Sequence, residues 1–132
     1  KSPAIAQKLK LTAPTGLTDI LSGASLLGDA LLPTAVERLS VLAAGDRGKQ
    51  LGSDYDVDDV TSLLDELSSE FDLIVFNLPQ ADELSECFAY AEALSGIFLV
   101  VSAGQVDGRV ARRVTRRLEH GGARILGAIY HQ

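Results

Sequence analysis

The segment of this sequence best suited to chemistry is a hydrophobic run ending on a polar side chain and a proline: Phe71-Asp72-Leu73-Ile74-Val75-Phe76-Asn77-Leu78-Pro79-Gln80. In open α/β sheets, ligands collect at the carboxyl ends of the strands. A carboxylate at the position of Asn77 would help hold Mg²⁺, directly or through water. The amide that stands there accepts a hydrogen bond but brings no charge to an ion that favours charged oxygen. Asn77, with Pro79 beside it, is therefore the candidate cofactor-binding position, and no catalytic residue or metal ligand is assigned. The plainer reading of the same residues is a strand running into a helix N-terminus, with Asn77 closing the turn.

A second candidate follows the apolar run Leu39–Ala43. The stretch Ala43-Ala44-Gly45-Asp46-Arg47-Gly48-Lys49-Gln50 approaches the phosphate-loop pattern G-x-x-x-x-G-K-[ST]. Its first glycine is Ala43 and its Mg²⁺-binding hydroxyl is Gln50. The helix whose amides should cradle a phosphate does not follow at once. Two of the four fixed positions match, and a solvated loop is the reading adopted.

The third candidate is cationic. On a helical wheel at about 100° per residue, Arg109, Arg112, Arg113, Arg116 and Arg117 fall at about 0, 300, 40, 340 and 80°. Val110, Ala111, Val114 and Leu118 fall at about 100, 200, 140 and 180°. Five guanidiniums thus share the outer face and repel one another by a few tenths of a kcal/mol, roughly, per pair. They form a partner-binding face for acidic groups of a partner chain, a phosphate or a membrane surface, or else a plainly solvated helix face. His120 and His131 have no Ser, Cys or Asp pairing that suggests a triad, so both are read as structural. Cys87 lies on an apolar stripe and is read as a buried, inert thiol.

Four apolar runs would position these groups: Leu39–Ala43, Leu73–Phe76, Ile97–Ser102 and Arg124–Tyr130. The second and third are apolar at nearly every position, as in strands covered on both faces of a parallel sheet. Amphipathic helices alternate with them. Asp58–Glu70 carries Val60, Leu63, Leu64 and Leu67 on one stripe, with Asp58 and Asp59 suited to the positive helix end. Asp82–Leu94 repeats Leu84, Cys87, Phe88, Ala91 and Leu94. Arg109–Glu119 ends at Gly121–Gly122. The alternation predicts an α/β fold, a mostly parallel sheet flanked by helices. Residues 1–132 are read as a single domain, with 1–38 an irregular N-terminal part and 39–132 the α/β core. Within the first part, Gly16–Ser22 reads as a short helix ended by Gly23. Ala24–Arg38 reads as a loop with a helical turn broken at Pro33. The glycine-rich, acidic Gly45–Asp56 stretch is expected to be mobile.

Composition narrows the function classes. The 132 residues are 46% apolar and 23% charged, enough for one globular core. Aromatic residues make up 5% and Trp is absent, which argues against base stacking. The net charge of −6 makes a non-specific nucleic-acid binder a poor candidate. The charge is uneven: residues 109–124 hold six arginines against Glu119, a net of +5, and the other residues carry −11. A single cysteine excludes an internal disulfide and a Cys-based zinc cluster. No apolar run approaches the roughly 18 residues of a membrane span. The chain begins at Lys1 rather than Met, so a fragment, a processed chain or a trimmed piece of a longer protein is expected.

The ordered motifs resemble the bacterial tyrosine autokinase domains of capsule and exopolysaccharide assembly, within the P-loop ATPase superfamily. The matching residues begin with Gly16-Leu17-Thr18-Asp19-Ile20-Leu21-Ser22-Gly23 and Leu39-Ser40-Val41-Leu42-Ala43-Ala44-Gly45. Phe71 to Gln80 follows, at the Walker B position, with Ser85-Glu86 where the family has Ser-Asp. Phe98-Leu99-Val100-Val101, Gly104-Gln105 and Gly122 to Ile129 complete the series. The resemblance implies a P-loop NTPase-like fold that here lacks the N-terminal P-loop strand. It implies ATP and Mg²⁺ as the family's cofactors, and none held by this chain. The family's Asp-x-Pro-Pro stands as Asn77-Leu78-Pro79-Gln80. Its Walker A motif and the acidic motif after it fall upstream of the match, and its tyrosine-rich tail beyond Gln132.

The function implied is a degenerate or partial tyrosine-kinase-like domain that acts through protein contacts in chain-length regulation. Its partner would be a membrane polysaccharide chain-length regulator, fused or bound, with self-association as a further possibility and no nucleic acid. Its place would be cytoplasmic, at the inner face of the membrane through that partner. Two alternatives stand beside it. One is the C-terminal fragment of an active ATP-dependent tyrosine autokinase. The other is a small α/β ligand-binding or receiver-like module.

Overall fold

The computed structural model describes residues 4–45, 55–78, 93–104 and 107–131. The chain divides into two compact units, Lys1–Tyr55 and Asp56–Gln132.

In the first unit, three short helices precede a hairpin. They are α1 (Ala4–Lys8), α2 (Leu17–Leu21) and α3 (Leu27–Ala30). Helix α2 occupies the expected Gly16–Ser22 segment. Gly23 beyond it adopts φ +72°, the left-handed geometry that ends a helix without a Cβ penalty. The hairpin pairs β1 (Leu31–Pro33) with β2 (Ser40–Leu42) in antiparallel register, Leu31 opposite Leu42 and Pro33 opposite Ser40. Strand β2 was expected; β1 was not, because Pro33 reads as a breaker. A proline lacks only the N–H donor and is tolerated at the end of a strand on a sheet edge. The connection passes through Arg38 at φ +61°, a turn with no glycine to announce it.

In the second unit, α4 (Val57–Glu70) precedes a β–α–β crossover of β3 (Ile97–Ser102), α5 (Gly108–His120) and β4 (Ile125–His131). These boundaries lie within a residue or two of those expected from periodicity. Strands β3 and β4 pair in parallel, Phe98 opposite Gly127 and Val101 opposite Tyr130, with an irregularity between Ile97 and Phe98. One face of the pair packs on α5: Ile97, Leu118 and Ala123 are buried, with Leu78, Leu94, Leu99, Val114 and Ile125 against them. Leu118 is 2% exposed, so the α5 stripe meets the sheet where the wheel predicts.

One expected strand requires correction. Leu73–Phe76 forms no ladder among the described residues, and Leu73 and Val75 are 78% and 82% exposed. An apolar run of this length has the propensity for a strand but becomes one only beside a neighbour that takes its N–H and C=O groups. The described sheets are accordingly two pairs, one antiparallel and one parallel. Most of the expected Asp82–Leu94 helix, including Cys87, most of the Gly45–Asp56 loop and Pro79 lie outside the described residues.

Candidate functional site

Asn77 lies in the described part of the 71–78 segment and is exposed, outside any strand. Its side chain brings no charge to a cation. The amide oxygen is neutral, and among the described residues no three His, Cys, Asp or Glu side chains converge as a metal site would need. The half-matching phosphate loop keeps only Ala43, Ala44 and Gly45 within the described residues, so its Gly48, Lys49 and Gln50 fall outside them.

What the first unit does build is a grip between α2 and the end of β2. The Leu17 N–H donates to the Ala43 carbonyl at 2.8 Å, and the Thr18 N–H donates to that of Ala44 at 3.0 Å. The Asp19 carboxylate turns back to accept from the Gly16 N–H at 2.8 Å. The Tyr55 hydroxyl donates to the Thr18 carbonyl at 2.8 Å. A Cβ at Gly16 would collide with the Ala43 carbonyl and the Gly45 N–H. Gly45 adopts φ +90°, and a Cβ there would strike the Thr18 and Asp19 side chains. The glycine of the Gly-Leu-Thr-Asp match and the glycine after β2 are therefore close neighbours, Gly16 leaving room for the backbone at the end of β2 and Gly45 for the Thr18 and Asp19 side chains. Sequence reasoning quoted both but did not bring them together. Nothing in their spacing of 29 positions signals contact; only the return of the chain through the hairpin does.

In the second unit, α5 presents Arg109, Arg112, Arg113, Arg116 and Arg117 together, all exposed, as the wheel predicts. They line an open groove that ends at His120 and Gly121. Asp107 starts the helix. Its carboxylate accepts from the Arg109 N–H at 2.8 Å and pairs with the Arg109 guanidinium at 3.2 Å. The backbone hydrogen bond first, and then the guanidinium, hold this carboxyl below the usual carboxylate range. Arg112 turns onto its own helix, donating from Nε to the Gly108 carbonyl at 3.3 Å. At the far end, His120 Nδ1 lies 2.6 Å from the Arg116 carbonyl, an end-of-helix contact rather than a catalytic one. His131 closes β4 opposite Ser102 and is exposed. This groove can hold an anion or an acidic surface; it offers no nucleophile with a base beside it.

Comparison with known proteins gives these pieces a common frame. No family model matches the chain. The tyrosine-protein kinase CpsD of Streptococcus agalactiae is 26% identical over 117 residues, covering 89% of this chain and 50% of that protein. The putative tyrosine-protein kinase CapB of Staphylococcus aureus is 23% identical over 118 residues, covering 89% of this chain and 52% of that one. The chain thus spans about half the length of the curated relatives it matches. Among solved structures, the VpsO kinase domain superposes with a TM-score of 0.87 at 27% identity, over 100% of this chain and 66% of that one. The kinase domain of the Escherichia coli tyrosine kinase ETK gives 0.89 at 20% identity, over 99% of this chain and 51% of that one. Across nearly its whole length, in sequence and in its α/β architecture, this chain is similar to bacterial tyrosine-kinase domains.

Proposed function

We propose that the chain is a degenerate tyrosine-kinase-like domain of exopolysaccharide or capsule assembly, acting through protein contacts in chain-length regulation rather than by phosphoryl transfer. Asn77 carries this reading. At the position where the related kinases are expected to bring a carboxylate to Mg²⁺, this chain has a neutral, exposed amide. Phosphoryl transfer depends on metal ions that bridge the phosphates and neutralise developing charge, so a lost carboxylate weakens the step at its root. The exposed arginine face gives the domain a contact surface that needs no nucleotide. Its partner in this reading is a membrane polysaccharide chain-length regulator, fused or bound, that keeps the domain at the inner face of the membrane. Among the described residues, no helix is long and apolar enough to cross a membrane. The crystallised chimerical protein CapA2B2, which superposes on 98% of this chain at a TM-score of 0.83 and 18% identity, shares its fold.

The coverage of only half of each curated relative favours a second reading, in which this chain is the C-terminal portion of an active autokinase. One assay separates the two. The native protein, purified from its source cells at its native length, is incubated with Mg-ATP and probed for phosphotyrosine. The degenerate reading expects no signal, and autophosphorylation overturns it. Asn77→Asp sharpens the test: activity gained only in the variant identifies residue 77 as the lost metal position. Activity in the wild type, unchanged by the substitution, removes residue 77 from the metal site.

A further inference from the structure

Helix α5 gains little from most of the arginines it carries. Cations stabilise a helix near its C-terminus, and Arg117 and His120 stand in the last turn. Arg113 lies in mid-helix. Its neighbours three and four positions away are Arg109, Val110, Arg116 and Arg117, so along its own helix it meets like charge on both sides and no carboxylate. The first turn holds no acidic residue. Asp107, ahead of that turn, pairs with Arg109. Nε of Arg112 turns to the Gly108 carbonyl, and Arg117 has an interaction of its own. Among the described residues, Arg113 and Arg116 are left exposed with no partner for their guanidiniums.

The face has a shape as well as a charge. Arg109 to Arg117 spans about 12 Å of helix at about 1.5 Å per residue, along an open groove whose other lining residues are His120 and Gly121. A protein partner is anchored by apolar and aromatic side chains sunk in a pocket, and this groove has no apolar lining to receive one. An extended anionic layer requires no such anchor, because its attraction adds charge by charge and tolerates loose register. Guanidinium forks also match phosphate oxygens two at a time.

From these observations we propose that the arginine face of α5 docks directly on an anionic phospholipid bilayer, the helix axis lying along the surface and Arg113 and Arg116 taking headgroup phosphates. Outside residues 109–124 the chain carries a net charge of −11. An anionic surface therefore attracts this face and repels the acidic segments, so the contact orients the domain. The attraction is electrostatic and is screened by salt. The inference stands apart from the kinase-like reading, because it uses neither Asn77 nor nucleotide.

The test is flotation of the native-length protein with vesicles of phosphatidylglycerol and phosphatidylcholine, against vesicles of phosphatidylcholine alone. The wild type should float with the anionic vesicles and not with the neutral ones. Raising NaCl from about 50 to about 500 mM should weaken that binding at least roughly tenfold. Arg113→Glu/Arg116→Glu should bind the anionic vesicles at least roughly tenfold more weakly, with a melting temperature close to wild type. Arg113→Gln/Arg116→Gln relieves repulsion within α5, so it keeps the helix folded and should still bind several-fold more weakly. Arg113→Lys/Arg116→Lys keeps the charge and should keep most of the binding. A wild type that ignores anionic vesicles at low salt overturns the proposal. So does equal binding to neutral vesicles, or binding undiminished in the Glu and Gln pairs. A Lys pair that melts like wild type but fails to bind assigns the face to a partner of fixed shape, such as a phosphoprotein, and overturns it too.

Discussion

Of the two long helices, α4 buries Val60, Leu63 and Leu67, whereas α5 buries only Leu118 and leaves Val110 41% exposed. The difference lies in the residues chosen, not in the phase of the stripe. α5 places an alanine where α4 has a valine, and surrounds its stripe with cations. It is held by a single deep anchor into the β3–β4 core and by its first-turn cap. α4 spreads its burial over three side chains and starts with a capping box, in which Asp56 accepts from the Asp59 N–H at 3.1 Å and Asp59 from the Asp56 N–H at 3.3 Å. Two helices of 14 and 13 residues with the same phase can thus bury quite different numbers of side chains. The helix with fewer buried side chains is the one that carries the five exposed arginines.

Core truncation tests this contrast with the largest effect. Leu118→Ala removes the anchor of α5 and should cost about 3 kcal/mol in chemical denaturation. Val60→Ala, a smaller side chain with two buried neighbours on its own stripe, should cost about half as much. Equal costs would show that α5 has support beyond Leu118.

The caps come next. Asp56→Ala should cost about 1 kcal/mol, and Asp107→Ala should likewise destabilise the start of its helix. The local consequence should differ: amide exchange should speed up across the first turn of α4, and further along α5, where arginine repulsion works against the helix. Fraying confined to one turn in both helices would remove that distinction.

The smallest effect is a pH dependence. The Asp107 carboxyl is held below the usual range by the Arg109 N–H and guanidinium. A lowered carboxyl pKa contributes stability that is fully present above the ordinary carboxylate value and is lost as pH falls through the lowered one. The α5 start should therefore be unchanged from neutral pH down to that ordinary value and fray only in stronger acid. An Asp107→Asn variant should lose that acid transition. An Asp107 titration by NMR with its midpoint at or above the ordinary value would contradict the hydrogen-bonding pattern at this cap.

Periodicity made α4, β3, α5 and β4 legible, because each pattern persists over six or more residues and one face of each has a partner to bury against. The arginine face was legible for the same reason: a wheel places charges without knowledge of the rest of the fold. Strand β1 was hidden by Pro33, whose meaning depends on whether its missing donor lies at an edge. The 71–78 segment erred in the opposite direction. Its composition is that of a buried strand, yet its extended chain has no ladder partner among the described residues and exposes Leu73 and Val75. Asn77 was found as a chemical exception within a pattern, whereas Gly16 and Gly45 were invisible as a pair.

By itself, the sequence determined α4 and α5, the parallel pair, the segregation of charge and the neutral amide at residue 77, since all follow from side-chain identity and local repeat. Only the tertiary structure decided which extended runs become strands and that Gly16 lies against the end of β2. It likewise decided that one leucine anchors α5. Each of these depends on what a distant segment places beside it, and local pattern carries no record of that neighbour.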